Sequence, residues 1–230
     1  MMDQDLQSSM IEYYKHRASE FDEKYKGCRP LSILDPQTYE HEHEVKMLSE
    51  TVKASCAGVL LDMACGTAFW LPHYAGNCSH ITLFDQSEEM LSHARDRAAS
   101  LGIIDQTAMI LGDALSYQFS ENRFDTVLVA FLISHFTEDQ EASFFQILRS
   151  TVKPNGKILI LDSVWNDAYA HTHKKTGIQG RSTGDGREFQ VYKKYFTEED
   201  LSLFVTKHGI ELSIEYFGRS YFAATTVIKK

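Results

Sequence analysis

Short apolar runs alternate with longer segments of helical periodicity through most of the 230-residue chain. Apolar runs bounded by turn signals predict buried strands, whereas apolar residues three and four positions apart predict amphipathic helices. This alternation of strands and helices is typical of the α/β class. The predicted strands are residues 59–62, 80–85, 107–111, 124–129, 157–162, 210–217 and 221–228. The predicted helices are residues 6–26, 37–54, 69–75, 87–102, 137–152 and 197–209.

Carboxylates stand at or just after the ends of the first three predicted strands, at Asp62, Asp85 and Asp113. Ligands of open α/β sheets bind outside the carboxyl ends of the strands. Asp85 lies about 20 residues beyond a small-residue turn, where a carboxylate is placed to accept hydrogen bonds from ribose hydroxyls. A carboxylate at Asp113 can accept from the exocyclic amine of adenine. The pattern therefore predicts a nucleoside site at this edge of the sheet.

The segment Asp62-x-Ala64-x-Gly66-x-Ala68 resembles motif I of the class I S-adenosylmethionine-dependent methyltransferases. The usual form of that motif is an acidic residue followed by Gly-x-Gly-x-Gly. Gly112-Asp113 after the third strand resembles the family's adenine-reading position, and the Lys-Pro-x-Gly turn before the fifth strand is common in the family.

The resemblance implies a single methyltransferase domain over residues 1–230, with a doubly wound, seven-stranded, mostly parallel Rossmann-like sheet. The implied strand order is 3-2-1-4-5-7-6 with one antiparallel strand. Residues 1–54 are expected to form an N-terminal helical cap, and residues 163–196, after the fifth strand, an insert that serves as a lid.

The cofactor implied by the resemblance is S-adenosyl-L-methionine, with S-adenosyl-L-homocysteine as its product. Arg17 is suited to hold the methionyl carboxylate, because a guanidinium can pair with a carboxylate through two hydrogen bonds. The expected cofactor-binding residues are Tyr14, Arg17, Asp62, Ala64, Cys65, Gly66, Thr67, Trp70, Asp85, Gln86, Met90, Gly112, Asp113, Ala114, Ala130 and Phe131.

Two of the three motif glycines are alanines in this chain, Ala64 and Ala68, while the central Gly66 is kept. A methyl group matters at a position that needs a positive φ angle or a close approach to the ligand. Alanine suits right-handed backbone, and we expect that conformation at both positions. Cofactor binding is therefore expected to be retained.

His135 follows the fourth predicted strand and is the catalytic candidate, because this segment borders the methyl group. A neutral imidazole can take a proton from a hydroxyl or an amine. The alternative is that His135 packs or hydrogen-bonds beneath the cofactor. Since the sulfonium is an activated leaving group, alignment of donor and acceptor can supply most of the rate enhancement.

The predicted partner is a small, partly apolar organic acceptor that bears a hydroxyl or an amine. A long irregular insert in a compact domain is commonly functional. The expected substrate or lid residues are Tyr25, Trp165, Tyr169, Arg181, Arg187 and Tyr192.

Composition narrows the class of partner. The formal charge of −9 disfavours a broad nucleic-acid surface. No stretch approaches a membrane span, and the N-terminus lacks the features of a signal peptide, so a cytoplasmic monomer or homodimer is expected. Four widely spaced cysteines favour free thiols over disulfides or zinc. No metal is expected, because neither His41–Glu44 nor the polar cluster within 162–171 has suitable spacing.

Two other functions use similar features. An NAD-type oxidoreductase also needs a glycine turn and a ribose carboxylate, but Gly66 followed by Ala68 and Leu71 fits Gly-x-Gly-x-x-Gly poorly. A non-catalytic S-adenosylmethionine-binding protein is the second alternative, and Ala64 and Ala68 are the features that favour it.

Overall fold

The computed structural model describes residues 4–25, 36–171 and 174–229. Seven of its strands form one sheet in the order β3-β2-β1-β4-β5-β9-β8, and β6 and β7 form a separate hairpin. The strands are β1 (Gly58–Met63), β2 (Cys78–Asp85), β3 (Thr107–Leu111), β4 (Phe124–Ala130), β5 (Val152–Ser163), β6 (Thr176–Ser182), β7 (Glu188–Lys194), β8 (Ser213–Phe217) and β9 (Tyr221–Val227).

The strand order confirms the predicted topology once the β6–β7 hairpin is set aside as the insert. Strands β1 to β5 pair in parallel. Strand β9 runs antiparallel to β5 on one side and to β8 on the other. The strand order of the sheet reverses direction at β1, which lies between β2 and β4. Open α/β sheets bind ligands at such a reversal point.

Both faces of the sheet are buried, because alternate residues of the central strands enter two separate apolar cores. Leu61 and Val127 lie in one core. Their chain neighbours Leu60 and Leu128 lie in the other. Since side chains alternate across a strand, continuous apolar runs are what a sheet covered on both faces requires. Full burial of one such leucine contributes about 1.5–3 kcal/mol.

Helices cover the two faces and complete three layers. Helices α5 and α6 contribute to the core that contains Leu61. Helices α2, α3 and α4 contribute to the core that contains Leu60. The helices are α1 (Gln4–Arg17), α2 (Pro36–Ser55), α3 (Leu71–Tyr74), α4 (Glu88–Ser100), α5 (Glu138–Thr151) and α6 (Glu198–His208).

Capping hydrogen bonds mark two of the predicted helix starts, at Ser87 and Thr137. Ser87 Oγ accepts a hydrogen bond from Met90 N (3.2 Å), which places Ser87 at the N-cap of α4. Gln140 Oε1 accepts from Thr137 N (2.9 Å) in the capping box of α5. Each bond satisfies a donor that the first turn of a helix leaves unpaired.

Some predicted boundaries are wrong. The first helix is α-helical only to Arg17 and continues as a 3-10 helix over Ala18–Lys24. The helix expected after motif I is reduced to α3, because residues 64–70 form turns. The insert contains two paired strands, β6 and β7, which are not among the predicted strands.

Helix α1 lies against the hairpin, although the two are far apart in sequence. Gln190 N donates to Ser9 Oγ (2.9 Å). The rings of Tyr13 and Phe189 lie 5.8 Å apart. Gly184 N, in the hairpin turn, donates to Glu20 Oε1 (3.0 Å). These contacts place α1 and the hairpin together beside the carboxyl ends of the parallel strands.

No helix within the described part of the chain is both long and apolar enough to cross a lipid bilayer. The described cysteines, Cys56, Cys65 and Cys78, are buried free thiols, and Cys28 lies outside the described residues. Among the described residues, no group of three or more His, Cys, Asp or Glu side chains is arranged to hold a metal ion.

Candidate functional site

A cavity of about 270 Å³ lies between the carboxyl ends of β1, β2, β3 and β4 and the α1–hairpin pair. It contains many of the residues expected from the sequence to bind cofactor or acceptor. Those that line it are Tyr14, Arg17, Tyr25, Ala64, Gly66, Asp85, Gln86, Met90, Gly112, Asp113, Ala114, Ala130, Phe131, His135 and Arg181.

The turn after β1 has left-handed backbone at each of the three motif positions. The φ angles are +57° at Ala64, +55° at Gly66 and +54° at Ala68. The expectation of right-handed backbone at the two alanines is therefore wrong. The turn keeps the conformation that glycine would adopt freely, and each alanine is strained by contact between its Cβ and the backbone. Phe131, which follows β4, is similarly strained at +58°.

Replacement of Ala64 by glycine is expected to raise the free energy of unfolding by about 0.5–1 kcal/mol, because the left-handed strain exceeds the entropy cost of glycine. Ala64 is the better test of the two alanines, since Ala68 is fully buried and would also lose apolar contact. Chemical denaturation provides the measurement. Ala75→Gly is the control: its φ is −54°, so a loss of about 0.5–1 kcal/mol is expected. A fall in stability for Ala64→Gly would contradict the strain argument.

Asp85 forms the floor of one end of the cavity and is fixed by backbone donors. Its Oδ2 accepts from Gly66 N (2.8 Å), and its Oδ1 accepts from Ser87 N (3.0 Å). Burial raises the pKa of Asp85, while these hydrogen bonds oppose the shift. Each carboxylate oxygen can accept a second hydrogen bond. The carboxylate is therefore oriented and still able to receive ribose hydroxyls.

Phe84 and Tyr117 pack closely against Gly112, which borders the cavity. A Cβ added there would lie 2.8 Å from Phe84 Cε2 and 2.9 Å from Tyr117 Cδ2, which is too close for any side chain. Asp113 follows and turns its Oδ1 toward Leu115 N (3.0 Å). The result is a shallow cradle in which backbone and an oriented carboxylate meet the ligand, as a flat purine requires.

Four expected cofactor residues lie behind the cavity wall rather than on it. Asp62 is buried and accepts from the Tyr74 hydroxyl at Oδ2 (2.7 Å), and burial raises its pKa to about 7. Cys65 is buried beneath the turn. Thr67 Oγ1 donates to Asp22 Oδ1 (2.5 Å). Trp70 also lies behind the cavity wall, and its ring packs against Tyr25 and Phe131. These side chains support the turn from below.

His135 connects α1 to the hairpin through both of its ring nitrogens. Nδ1 lies 2.7 Å from the carbonyl oxygen of Tyr192, which can only accept, so Nδ1 carries the proton. Nε2 lies 2.7 Å from the Tyr14 hydroxyl. Burial raises the pKa of Tyr14, with Tyr13 adding to the shift, so the phenol stays protonated and donates to Nε2.

This Tyr14–His135–Tyr192 chain of hydrogen bonds changes the role open to His135. Since both nitrogens have partners, the imidazole does not present a free lone pair to the cavity in this arrangement. The Tyr14 oxygen keeps acceptor capacity after donating its proton, and Tyr14 lines the cavity. His135 thus orients Tyr14.

The insert contributes a different set of side chains from the one predicted. Arg181 lines the cavity, as expected. Arg187 instead pairs with Asp185, and the Trp165 indole donates to Asp167. Tyr192 offers its carbonyl, and its side chain is absent from the cavity wall. The side chain of Tyr169 lies outside the described part of the structure.

Sequence reasoning missed several polar cavity residues, of which Lys193 is the most consequential. Strand periodicity predicts its orientation: residues 191 and 193 share one face of β7, and residue 192 takes the other. The polar residues missed include Gln7, Gln140, Ser163, Lys193 and Tyr221.

Comparison with known proteins agrees with this geometry. Residues 60–156 match the family model of a methyltransferase domain. The ubiquinone/menaquinone biosynthesis C-methyltransferase UbiE of Blochmanniella pennsylvanica is 36% identical over 107 residues, 45% of this chain and 41% of that protein. The UbiE protein of Salmonella arizonae is 24% identical over 184 residues, 70% of this chain and 71% of that protein.

Solved structures share the whole fold. A structure named DhpI-SAM-HEP complex has a TM-score of 0.77 at 22% identity and covers 98% of this chain and 99% of that chain. An S-adenosylmethionine-dependent methyltransferase from Clostridium acetobutylicum has a TM-score of 0.63 at 12% identity and covers 95% of this chain and 100% of that chain.

The chain spans about two fifths of the length of the UbiE proteins that it matches at 36% identity. The matched residues contain the turn after β1, Asp85 and the Gly112 cradle. The matched methyltransferase domain and the seven-stranded sheet support the resemblance of the chain to the class I S-adenosylmethionine-dependent methyltransferases.

Proposed function

We propose that the chain binds S-adenosyl-L-methionine in this cavity and transfers its methyl group to an oxygen or nitrogen nucleophile of a small organic acceptor. The observation that carries the proposal is the continuity of the cavity. One end has the Asp85 carboxylate and the Gly112 cradle, and the other has the Tyr14 hydroxyl and two hairpin cations. A cofactor and an acceptor can thus lie side by side in one continuous cavity.

The residues at the first end fit an adenosine group. Asp85 is buried, oriented by two backbone donors and able to accept further hydrogen bonds. Gly112 borders the cavity, and the close packing of Phe84 and Tyr117 against it leaves no space for a side chain. Met90 lies on the same wall, where its thioether packs against a flat ring. Asp85 would take the ribose hydroxyls, and the Gly112–Asp113 segment would hold the purine edge.

The methionyl end is completed by α1. Arg17 lines the cavity, and its guanidinium donates to the Tyr13 hydroxyl. Within the described ranges Arg17 has no carboxylate within ion-pair distance, so its charge is available for the methionyl carboxylate. Ala64 and Gly66 also line the cavity, and small residues there would let the backbone approach the cofactor.

The chemistry that the cofactor supplies is an activated methyl group on a sulfonium, open to in-line displacement. The protein aligns the acceptor and excludes water. The Tyr14 oxygen is placed to receive a hydrogen bond from the acceptor, while His135 holds Tyr14 and links it to the hairpin. Tyr25, Phe131 and Tyr221 give the acceptor end an aromatic wall, which suits a partly apolar molecule.

Calorimetry with the full chain tests the proposal. S-adenosyl-L-methionine and S-adenosyl-L-homocysteine are expected to bind, whereas NAD is not. Preferential binding of NAD would favour an oxidoreductase. Methyl transfer from labelled cofactor to a panel of small hydroxyl and amine compounds then separates an enzyme from a binding protein. Cofactor binding without transfer to any compound of the panel would favour the non-catalytic alternative.

Transfer to carbon is the second candidate. The observation that favours it is the match to proteins named as quinone-biosynthesis C-methyltransferases, together with the aromatic wall. The chemical shift of a labelled methyl group in the product separates the possibilities, because methyl groups on oxygen, nitrogen and carbon resonate in different ranges.

A further inference from the structure

The acceptor end of the cavity receives two cationic side chains from the hairpin, Arg181 on β6 and Lys193 on β7. They lie near each other: both contact Tyr195, which accepts a hydrogen bond from Arg181 Nη2 at 3.2 Å and has Lys193 Nζ 5.5 Å from its ring centroid. Lys193 is only 8% exposed. Lysine is almost never this deeply buried without a partner or a use for its charge.

The partners of Lys193 use only part of the hydrogen-bonding capacity of its ammonium group. Nζ donates to Ser134 Oγ (2.6 Å) and to Asp162 Oδ1 (3.3 Å). An ammonium has three N–H donors, so one remains for a ligand. Asp162 is itself held by backbone donors, from Ser134 N (3.0 Å) and Ser163 N (2.8 Å). The carboxylate is therefore a fixed structural partner that balances one cation.

Arg181 has only neutral acceptors among the described residues. Nη2 donates to Gln179 Oε1 (2.9 Å) and to the Tyr195 hydroxyl, and Nη1 donates to the Gly180 carbonyl (3.1 Å). These bonds fix the plane of the guanidinium without neutralising it. Two cations thus meet one carboxylate, Asp162, and the acceptor end is left with a net positive charge in a chain whose formal charge is −9.

We propose that the acceptor carries an oxyanion group, a carboxylate or a phosphonate or phosphate, that Arg181 and Lys193 bind. The inference rests on the proposed methyl transfer and names the class of acceptor for that site. Three of the five guanidinium N–H donors of Arg181 have partners, so two remain for such a group, and the remaining ammonium N–H of Lys193 supplies a third donor. A half-buried charge without a counter-ion is costly, and an anionic ligand removes that cost.

The test saturates the full chain with S-adenosyl-L-homocysteine and then adds methylphosphonate, acetate or uncharged acetamide, with the melting temperature as readout. At least one anion is expected to raise the melting temperature, whereas acetamide is not. A response to acetate or to methylphosphonate identifies which oxyanion the site takes, and either supports the proposal. An equal response to acetamide, or no response to either anion, overturns it.

Variants tie the response to the two cations. Arg181→Gln and Lys193→Gln are each expected to weaken anion binding at least about tenfold, as loss of a charge-assisted hydrogen bond does. Arg181→Lys should retain part of the response. Arg95→Gln, on the exposed face of α4, is the matched control and should bind anions as the parent chain does. Anion binding by Arg181→Gln at the parent affinity overturns the assignment.

Calorimetry with S-adenosyl-L-homocysteine is carried out first on every variant. Unchanged affinity shows that the variant is folded and that its cofactor end is intact. Failure of the parent chain to bind this compound contradicts the proposed function itself. Cofactor binding without an anion response contradicts only the assignment of the acceptor class.

Discussion

Asp85→Asn is expected to weaken S-adenosyl-L-methionine binding by about 30-fold or more, which corresponds to about 2 kcal/mol. The carboxylate accepts from Gly66 N and Ser87 N through different oxygens, so an amide of the same shape would turn its NH₂ group toward one of these donors. The turn would shift, and one acceptor for the ribose hydroxyls would be lost. Calorimetry on the purified variant measures the change.

Asp125→Asn is a matched control at the opposite edge of the sheet. Asp125 also accepts from a backbone N–H, that of Val59 (2.8 Å), and from Lys153 Nζ (2.8 Å), but it lies at the amino end of β4, away from the cavity. The Asp125→Asn variant should lose about as much stability as Asp85→Asn does, and it should keep the cofactor affinity of the parent chain. Equal loss of affinity in both variants would show that general destabilisation is responsible, and the assignment of Asp85 to the cofactor would fail.

Tyr14→Phe and His135→Asn are expected to lower kcat about 30-fold each, within the range for a positioned polar group. Phenylalanine leaves His135 Nε2 buried without a donor. Asparagine keeps a donor for the Tyr192 carbonyl but no longer reaches the Tyr14 hydroxyl. Because His135 acts through Tyr14, the double variant should be little worse than either single one.

Steady-state kinetics of the parent chain, the two single variants and the double variant tests whether His135 acts through Tyr14. Cofactor affinity is measured in parallel. If the two effects multiply in the double variant, the residues act independently and His135 contacts the acceptor or the cofactor by itself. A fall in cofactor affinity without a fall in kcat would instead indicate that both residues contribute to cofactor binding. Ser8→Ala, at an exposed position of α1, controls for disturbance of the helix.

The parallel sheet could be predicted because local patterns determine it. A buried strand shows as a continuous apolar run, and Asp62, Asp85 and Asp113 mark successive strand ends without any knowledge of contacts. Even so, sequence alone did not distinguish their roles. Asp85 reaches the cavity, whereas Asp62 turns to Tyr74 behind it, and this depends on which face of the sheet each side chain takes.

Features that depend on distant contacts could not be predicted. Tyr14 and His135 are 121 residues apart, and no periodicity relates them. The left-handed backbone at Ala64 was inaccessible for another reason: alanine there contradicts the residue preference of that conformation, and only the surrounding structure imposes it. Strand β6 contains Gly177 and Gly180, which hide its strand character, so the hairpin and its cations were only partly anticipated.

The meeting of α1 with the hairpin has an evolutionary consequence. The residues proposed to face the acceptor, Tyr14, Arg181 and Lys193, come from two segments that lie on either side of the matched span 60–156. The cofactor cradle lies within that span. Substitutions in α1 or the hairpin can therefore change acceptor choice while the cradle stays intact. We expect that grafting α1 and the β6–β7 hairpin together onto a relative transfers acceptor selectivity. Either segment alone would supply only part of the residues proposed to face the acceptor.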